Sequence, residues 1–592
     1  MKKILLYLFF ILTVQSVIQA QSKYFERVYY VQAISDARKI FLNPDGTYTI
    51  IGNTMSYPNL IGAPFYMRLN EFGDTLALRQ YLYSNLNTTA WDAVQTQYGY
   101  AVAACQPQTD TSVGCRANLM RITYNGDLLN LSIAGNDTIY QSWGRSILYT
   151  PDGGYVLAGL IIPQTGSNNK LYIVKLKADG SAEWEKMYNY FPYHNSFRGI
   201  LPAPEGGYYA VASIRRWAEV GVGTLQYIGD ILLYKLDEDG NVEWQKIYFE
   251  NGEGEQSTTF CQAPDGSLFI GGSRNFTDLV LKLDTAFNIE WSINEGNDEC
   301  DPSFVGVTPD GNFLVSGCTD VPPGEADAYV KKISPTGNIL WRRVYGDAGH
   351  DYFYTHLILP DGSILLGGRN DIGANAAVYI VKTNCMGLLT QPAAGFSYEP
   401  QGANEIQFTN LSLYAYPDSI DGGYYVWDFG DGSPPYLCGQ GYEPCTGNQI
   451  THQYAAPGTY TATLTAIVCT DTSVVQTLVD TQGAGGTVGI LPPDPLKGEN
   501  TLSVYPNPAQ NTLTFAINNG SKSPLGLAPS TRGDLGVRLL TLSGQTVLET
   551  TLAAGEASKT ISVAHLPAGI YLCRWQQAAG GAWGYVKVVI VR

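Results

Sequence analysis

Charged side chains are scarce in this sequence. They make up 15% of its 592 residues, against about a quarter in an average soluble domain. No long stretch repeats apolar residues at the spacing of an amphipathic helix. Glycine and tyrosine are abundant instead, with 64 Gly and 41 Tyr, and this composition favours short strands and tight turns. We expect an all-β protein of three or more domains, because the chain is too long for one core.

Long apolar runs are absent after the N-terminus, so we expect no transmembrane segment. The first residues, MKKILLYLFFILTVQSVIQA, combine two lysines, an apolar stretch and a small residue at Ala20. This pattern is typical of a signal peptide, predicted at residues 1–20, for export across the inner membrane. The net charge of −17 is opposite to the basic footprint of nucleic-acid binding, so we expect no nucleic-acid partner.

Catalytic motifs are also missing. The sequence has no H-E-x-x-H, no G-x-S-x-G and no glycine-rich phosphate loop that opens a helix. The five histidines lie apart from the cysteines and no C-x-x-C pair exists, which argues against a structural zinc site. We assign no catalytic, cofactor-binding or metal residue and expect no cofactor. His350 and His356 allow a functional pair, but we favour surface or inter-repeat hydrogen bonding for them.

Ten cysteines follow the N-terminal segment. An even number in an exported chain permits disulfides. Three pairs lie close enough in sequence to bridge locally: Cys105 with Cys115, Cys300 with Cys318, and Cys438 with Cys445. Cys573 falls in a predicted strand, and we expect it to be a buried free thiol.

A repeat of about 50 residues dominates residues 24–385. Seven turns of the Pro-Asp-Gly type, one of them degraded, begin at residues 44, 97, 151, 204, 264, 309 and 360. An apolar strand follows each turn, and a second turn opens a strand with spaced aromatic residues, as in Trp184-x-Lys186-x-Tyr188. Pro fixes φ at the first corner of such a turn, and Gly supplies the positive φ. Four short strands per repeat predict a seven-bladed β-propeller at residues 21–388.

The last repeat lacks its fourth strand, and a matching strand stands at the start of the mature chain. FERVY at residues 25–29 resembles WRRVY at residues 341–345. Tyr29 precedes Pro44 by 15 residues, as Tyr345 precedes Pro360. We therefore predict that residues 24–31 form the outer strand of the last blade and close the ring, which removes an open sheet edge.

Residues 392–481 differ in character from the repeats. They contain WDFGDGS from Trp427 to Ser433. Further residues of the pattern follow downstream: His452, Tyr454, Pro457, Gly458 and Tyr460. These motifs resemble the PKD domain, an immunoglobulin-like β-sandwich, and the resemblance implies a spacer or a carbohydrate- or protein-binding module. Trp427 and Phe429 share one face of a strand and should enter the core. Asp428 and Asp431 suit turn-stabilising carboxylates, which we favour, or a calcium site.

Residues 482–500 are rich in Gly and Pro and are predicted to be a linker. Residues 501–592 then carry several motifs in order: Tyr505-Pro506-Asn507-Pro508, Leu542-Ser543-Gly544, Leu566-Pro567-Ala568-Gly569-Ile570-Tyr571, and a terminal strand at Val586–Val591. They resemble the type A C-terminal sorting domain of the type IX secretion system of Bacteroidetes, and their strand pattern predicts a small β-sandwich. The resemblance implies recognition by the secretion machinery and removal of the domain, often with attachment of the remaining chain to surface lipopolysaccharide.

Propeller function usually lies where loops converge on the central channel. The variable stretches 162–170, 215–229, 318–328 and 369–377, between second and third strands, are the first candidates for recognition, and drift of surface loops explains them equally well. We expect a secreted or cell-surface binding protein for a glycan or protein ligand. The alternatives are an extracellular hydrolase or lyase acting on polysaccharide or protein in the channel, and a purely structural surface component.

Overall fold

The structure of the chain is a computed structural model that describes residues 22–590 outside certain segments. Those segments are 57–60, 83–86, 107–114, 136–140, 163–168, 189–194, 222–223, 249–253, 275–276, 296–303, 322–324, 347–348, 373–374, 416–421, 446, 490–499, 506–511, 520–534, 542–545, 553–557, 568 and 578–582. The predicted signal peptide, 1–20, also lies outside the described residues. Every element of the described residues is a strand, so the all-β prediction is confirmed. The chain forms two compact units, divided after Ile490.

Seven blades of four antiparallel strands form a β-propeller, as predicted. The N-terminal strand is β1 (Phe25–Tyr29). Blades 1 to 3 contain β2 (Ile34–Leu42), β3 (Tyr48–Ser56), β4 (Ile61–Leu69), β5 (Thr75–Gln80); β6 (Thr89–Thr96), β7 (Gly99–Gln106), β8 (Arg116–Thr123), β9 (Leu128–Ile133); and β10 (Gln141–Tyr149), β11 (Tyr155–Ile162), β12 (Lys170–Leu176), β13 (Ala182–Tyr188). In blades 1 to 3 the first strand in the chain is the innermost.

The remaining blades repeat this order. Blades 4 to 6 contain β14 (Asn195–Pro202), β15 (Tyr208–Gly221), β16 (Thr224–Leu236), β17 (Val242–Tyr248); β18 (Glu255–Gln262), β19 (Leu268–Arg274), β20 (Thr277–Leu283), β21 (Ile289–Glu295); and β22 (Phe304–Val307), β23 (Phe313–Val321), β24 (Glu325–Ile333), β25 (Ile339–Tyr345). Blade 7 contains β26 (His350–Ile358), β27 (Ile364–Ile372), β28 (Asn375–Thr383) and β1. The innermost strands of neighbouring blades contact one another around the whole ring, and they therefore surround its axis.

The N-terminal strand β1 completes blade 7. It pairs antiparallel with β28, from Phe25 opposite Lys382 to Tyr29 opposite Val378. Phe25 is buried in a core cluster that includes residues of blade 1, and its ring lies against Gly73 in a turn of that blade. The Tyr29 hydroxyl donates a hydrogen bond to the Gly73 carbonyl at 2.6 Å. Strand β1 thus joins the last blade to the first.

The same type of hydrogen bond joins other pairs of neighbouring blades. A tyrosine hydroxyl at the end of an outer strand donates to a carbonyl in the second turn of the next blade. The further pairs are Tyr81 with Gly126 at 2.7 Å, Tyr188 with Gly240 at 2.6 Å, Tyr248 with Phe287 at 2.9 Å, and Tyr345 with Gly387 at 2.7 Å. The turn residue has a positive φ, which Gly adopts freely, whereas Phe287 adopts a φ of 61° and packs its ring 4.6 Å from that of Trp244.

The next domain is a sandwich of two four-stranded sheets. Its strands are β29 (Gly395–Gly402), β30 (Glu405–Asn410), β31 (Tyr424–Asp428), β32 (Tyr436–Gly439), β33 (Gln449–Gln453), β34 (Thr459–Val468), β35 (Asp471–Asp480) and β36 (Gly486–Gly489). Trp427 and Phe429 are buried in its core, as predicted. β36 lies inside the range predicted as linker and pairs with β29. Its glycines allow this pairing, because a Cβ at Gly486 would lie 2.8 Å from the Tyr398 side chain.

The sandwich is fastened to the end of the propeller. Cys385, just after β28, forms a disulfide with Cys469 in the turn between β34 and β35. This bond was not predicted, because its cysteines are 84 residues apart. Met386 is buried in the core cluster of the sandwich, so the propeller also contributes a side chain to that core.

The residues just before β1 lie at the same junction. The Tyr24 hydroxyl donates to the Asp471 carboxylate at 2.5 Å, and the Lys23 ammonium lies 2.6 Å from the other oxygen of that carboxylate. Tyr24 and Asp471 are both buried, and burial, followed by the hydrogen bond to Asp471, raises the pKa of Tyr24. The sandwich therefore holds the residues that immediately precede β1.

Two of the three predicted local disulfides are confirmed, Cys105–Cys115 and Cys438–Cys445. Cys318 is also disulfide-bonded, and its predicted partner Cys300 lies outside the described residues. Cys573 is a buried free thiol, as predicted, and burial raises its pKa to about 12.

His356 is buried between blades 6 and 7. Its Nδ1 lies 2.9 Å from the Ser316 hydroxyl, and its ring meets Phe304 edge-to-face. Burial, with a smaller effect of the Lys39 charge, lowers the pKa of His356 to about 3. The imidazole is therefore neutral in the folded chain at neutral pH.

The second compact unit is a small sandwich of two sheets, β37-β38-β41 and β40-β39-β42-β43. Its strands are β37 (Asn500–Tyr505), β38 (Thr512–Asn519), β39 (Leu535–Thr541), β40 (Thr546–Leu552), β41 (Ser558–Ser562), β42 (Gly569–Gln577) and β43 (Trp583–Ile590). Leu513 and Phe515 of one sheet pack with Val537, Leu539 and Cys573 of the other. A small C-terminal β-sandwich was predicted here and is confirmed.

Replacing Phe25 by Ala should open the ring closure. Loss of a buried phenylalanine costs about 3–5 kcal/mol of unfolding free energy, and here it also weakens the pairing of β1 with β28. Denaturant unfolding of the mature chain measures this. Tyr30→Ala, at an exposed side chain just after the strand, should change stability by no more than about 0.5 kcal/mol. Equal effects of the two substitutions would show that β1 does not carry the closure.

Removing the Cys385–Cys469 disulfide should cost more stability than removing Cys438–Cys445. The first closes a loop of 84 residues and the second a loop of 7, and chain entropy predicts losses of about 4–5 and about 2–3 kcal/mol. The two double Cys→Ser variants can be compared by denaturant unfolding under the same conditions. A smaller loss of stability on removal of Cys385–Cys469 would contradict the attachment of the sandwich to the propeller by this disulfide.

His356 should make the propeller sensitive to acid. The unfolded chain takes up a proton on this histidine below about pH 6.5, whereas the folded chain resists it down to about pH 3. Stability should therefore fall as pH drops through this window, by up to about 1.4 kcal/mol per pH unit. His356→Gln should flatten that dependence in unfolding experiments, while His350→Gln on the same strand should keep it. Identical profiles for His356→Gln and the wild type would contradict this role.

Candidate ligand-binding site

The stretches predicted as variable recognition loops are mostly paired strands. Residues 215–221 and 224–229 extend β15 and β16 into a long hairpin, and residues 318–321 and 369–372 belong to β23 and β27. The prediction of loops was wrong here because the cross-strand register continues to the hairpin tips. In the remaining stretch, 162–170, residues 163–168 lie outside the described residues.

The innermost strands share a feature that sequence reasoning missed. In six of them the pairing with the second strand skips one residue, which is a β-bulge. The skipped residues are Arg38, Trp91, Arg145, Arg198, Thr258 and Tyr354, one from each blade except blade 6. In blade 6 the corresponding position, 303, lies outside the described residues. We call these six residues the collar.

The collar side chains are partly exposed on strands that are otherwise largely buried. Ala37, Phe197, Ser257 and Phe353, each directly before a collar residue, are all fully buried. A bulge bends its strand and redirects the extra side chain away from the two packed faces of the sheet. Because the innermost strands surround the axis, the collar residues form a ring around the channel.

Four neighbouring collar residues stack on one another. The Arg38 guanidinium carbon lies 4.7 Å from the ring centroid of Tyr354 and 6.0 Å from that of Trp91. The Arg145 guanidinium lies 4.6 Å from the Trp91 centroid. Cation–π contacts of this kind hold guanidinium groups in fixed planes. Blades 7, 1, 2 and 3 thus present alternating aromatic and cationic groups.

Arg38 is further fixed by a carboxylate. Its Nε and Nη2 donate to the two oxygens of Asp36 at 2.9 and 2.8 Å. Burial opposes the charge of Arg38, but Asp36 outweighs it and the pKa of Arg38 is raised. Burial raises the pKa of Tyr354 to about 12, so its phenol remains a hydrogen-bond donor at neutral pH.

A second set of side chains narrows the channel beside the collar. The Lys39 ammonium donates to Asp92 at 2.9 Å and lies 5.1 Å from the ring centroid of Phe304. Asp92 also accepts hydrogen bonds from the backbone N–H of Ile147 and the hydroxyl of Ser146, at 3.1 and 3.3 Å. Lys39, Asp92 and Phe304 come from blades 1, 2 and 6 and contact one another beside the collar, and we call these three residues the floor.

His350 and His356 have separate hydrogen-bond partners. His350 accepts a hydrogen bond from the backbone N–H of Ala326 at 3.0 Å, whereas His356 lies against Ser316. Each histidine contacts blade 6, in agreement with the inter-repeat hydrogen bonding that the sequence favoured.

The carboxylates of the sandwich turn bind local donors. Asp428 accepts from the backbone N–H of Gly430 at 2.9 Å, and Asp431 accepts from the N–H of Ser433 at 3.0 Å and its hydroxyl at 2.6 Å. The second oxygen of Asp431 lies 2.7 Å from Nε2 of His452. Burial alone would raise the pKa of Asp431, but these bonds lower it to about 2. In the part of the chain that the structure describes, no three metal-ligating side chains lie together.

The collar residues occupy the same position in each of their repeats. Each collar residue stands six positions before the first residue of the Pro-Asp-Gly turn of its repeat. The side chains at this position differ from repeat to repeat, with three arginines, a tryptophan, a threonine and a tyrosine. Residues that the repeats have in common therefore do not point to this position.

Two family models match segments in about the C-terminal third of the chain. Residues 390–481 match the PKD domain, and residues 503–591 match the secretion system C-terminal sorting domain. Both resemblances drawn from the sequence are thereby confirmed. No curated protein matches the chain.

Solved structures with a similar fold share little sequence with the chain. A protein of unknown function from Dyadobacter fermentans is 9% identical, with a TM-score of 0.37, over 60% of this chain and 97% of its own. The β-propeller domain of the Trilobed protease from Pyrococcus furiosus is 8% identical, with a TM-score of 0.36, over 62% of this chain and 96% of its own.

The matched domains indicate how the protein is exported from the cell. No helix among the described residues is long and apolar enough to cross a membrane. The chain consists of a β-propeller, a PKD domain and a sorting domain, and it is an extracellular protein that the type IX secretion system sorts through its C-terminal domain.

Proposed function

We propose that the protein is a secreted or cell-surface binding protein whose propeller recognises a ligand at the collar. The observation that carries this proposal is the ring of bulged residues, which places Arg, Trp and Tyr side chains, partly exposed, around the channel. Bulges commonly redirect side chains next to functional sites. Aromatic rings with a few polar groups are also the usual lining of ligand sites.

The chemistry of the collar supports binding rather than hydrolysis. Its described side chains supply hydrogen-bond donors and aromatic rings, which position a ligand. The nearest carboxylates already have cationic partners, since Asp36 binds Arg38 and Asp92 binds Lys39. A glycosidase needs one carboxyl group as an acid and a second carboxylate beside the reacting bond. Release of products remains the result that would favour a hydrolase or lyase.

The PKD domain would hold the propeller in position. Cys385–Cys469 and the contacts of Asp471 attach it directly to the propeller, so it holds the ring in a fixed position. We propose that the signal peptide directs the chain across the inner membrane and that the sorting domain is then removed. The remaining chain would be released or attached to surface lipopolysaccharide, with the collar available to a glycan or protein ligand.

A glycan and protein array, probed with the mature chain, tests this function. Trp91→Ala should weaken binding of the retained ligand at least tenfold, because it removes the ring between two guanidinium groups. Thr258→Trp should weaken it equally by filling the channel from another blade. Tyr98→Ala, at an exposed residue of the blade that carries Trp91, should bind normally.

Three results would contradict the proposal. Binding that survives both collar variants would place the ligand elsewhere, and products that accumulate with time would indicate an enzyme. Melting curves of the variants show whether they fold, and Thr258→Trp leaves the stacked side chains intact. A folded Thr258→Trp variant that binds like the wild type would rule out the channel.

A further inference from the structure

We propose that the collar binds an oxyanion, a carboxylate or sulfate group carried at the end of a saccharide chain. The inference rests on the proposed function, and it names the ligand class of the same site. Three features carry it: the charge of the collar, the fixed orientation of its donors, and the shape of the channel beside it.

The collar is cationic in an acidic protein. Three of its six residues are arginines and none is acidic, whereas the chain has a net charge of −17. Arginine stays charged at any physiological pH. Asp36 compensates the charge of Arg38, but this position still offers guanidinium groups in a chain of acidic composition, and planar guanidinium groups recognise oxyanions.

The donors of the collar are held in place before a ligand arrives. Trp91 lies between the guanidinium groups of Arg38 and Arg145, and Asp36 fixes Arg38 through two hydrogen bonds. A guanidinium that stacks by its face presents its N–H edge, which matches the two oxygens of a carboxylate or sulfate. Because the side chains are already ordered, binding loses less conformational entropy.

A further donor stands beside these groups. The indole Nε1 of Trp91 is buried and has no hydrogen-bond acceptor among the described residues. A buried donor without an acceptor is unfavourable, because it has lost its hydrogen bonds to water. An oxyanion held by the neighbouring guanidinium groups would supply that acceptor.

The channel beside the collar admits a chain end rather than a passing chain. Lys39 bridges to Asp92 and reaches Phe304, and side chains from blades 1, 2 and 6 that meet in this way would obstruct the channel next to the collar. A terminal acidic sugar reaches the arginines from the open side. A long polymer cannot thread past this floor unless the Lys39–Asp92 ion pair breaks.

The bulges also distinguish a saccharide from a peptide. An extended peptide binds a sheet by adding a strand to a regular edge, through backbone hydrogen bonds. The innermost strands are such edges, but a bulge interrupts the regular pattern at every described collar position. The collar therefore recognises its ligand through side chains, which suits charged groups on a saccharide.

Titration calorimetry on the mature chain tests the inference with four probes. These are a heparin-derived hexasaccharide, an oligogalacturonate, cellohexaose and a poly-glutamate peptide. The sulfated or the carboxylated saccharide should bind at least tenfold more tightly than neutral cellohexaose, and its affinity should fall as salt is raised. The stronger of the two identifies the anionic group.

Matched arginine variants locate the interaction. Arg145→Gln should weaken binding of the anionic saccharide at least tenfold, and Arg145→Lys should restore part of the loss, because Lys keeps the charge but not the planar fork. Arg79→Gln makes the same change at an exposed residue of the outer strand β5 and should bind like the wild type.

Each contrary result overturns a distinct part of the inference. Tight binding of cellohexaose that Trp91→Ala abolishes and Arg145→Gln leaves unchanged would refute the oxyanion while the collar stands as a binding site. Equal losses in Arg145→Gln and Arg79→Gln would reduce the effect to general charge. Tighter binding of poly-glutamate would refute the saccharide, and failure of all four probes would refute the ligand class.

Discussion

The hydrogen bond from an outer-strand tyrosine to the turn of the next blade is the contact on which the ring depends. A four-stranded blade has two apolar faces and is stable only between neighbours. The tyrosine ring covers part of the interface between two blades, and its hydroxyl donates a hydrogen bond to a backbone carbonyl in the turn of the next blade. Among the described residues this bond occurs at five interfaces. At Tyr29 it crosses the point where the chain begins, so the ring is held there as it is elsewhere.

Local turn chemistry made much of the fold predictable. The Pro-Asp-Gly turns mark the blades because only a few residues fit their corners. The spaced aromatic residues mark the interfaces, as Tyr188 and Gly240 show. The match of residues 25–29 to an outer strand rests on the same pattern, and in the structure this strand pairs with β28. In the sandwich, Trp427 and Phe429 were recognisable because alternation along a strand fixes which side chains enter the core.

The candidate site was not predictable in this way. A bulge leaves no fixed residue type in the sequence, and Arg38, Trp91 and Thr258 occupy equivalent positions without chemical likeness. Their relation depends on the ring, which brings together residues that lie about fifty positions apart in the chain. The Cys385–Cys469 disulfide was hidden for the same reason. The repeats differ most at the hairpin tips, whereas the bulged residues lie on the innermost strands.

The junction at Asp471 has a consequence for unfinished chains. Lys23 and Tyr24, just before β1, bind the carboxylate of Asp471, which lies more than four hundred residues later in the sequence. A fragment that stops before Cys469 would carry its full set of blades with the seam between first and last held by β1 alone. Strand ends of this kind fray, and frayed ends are where proteases cut. Protection of that seam therefore requires a chain that extends past Asp471, which lies in the second domain.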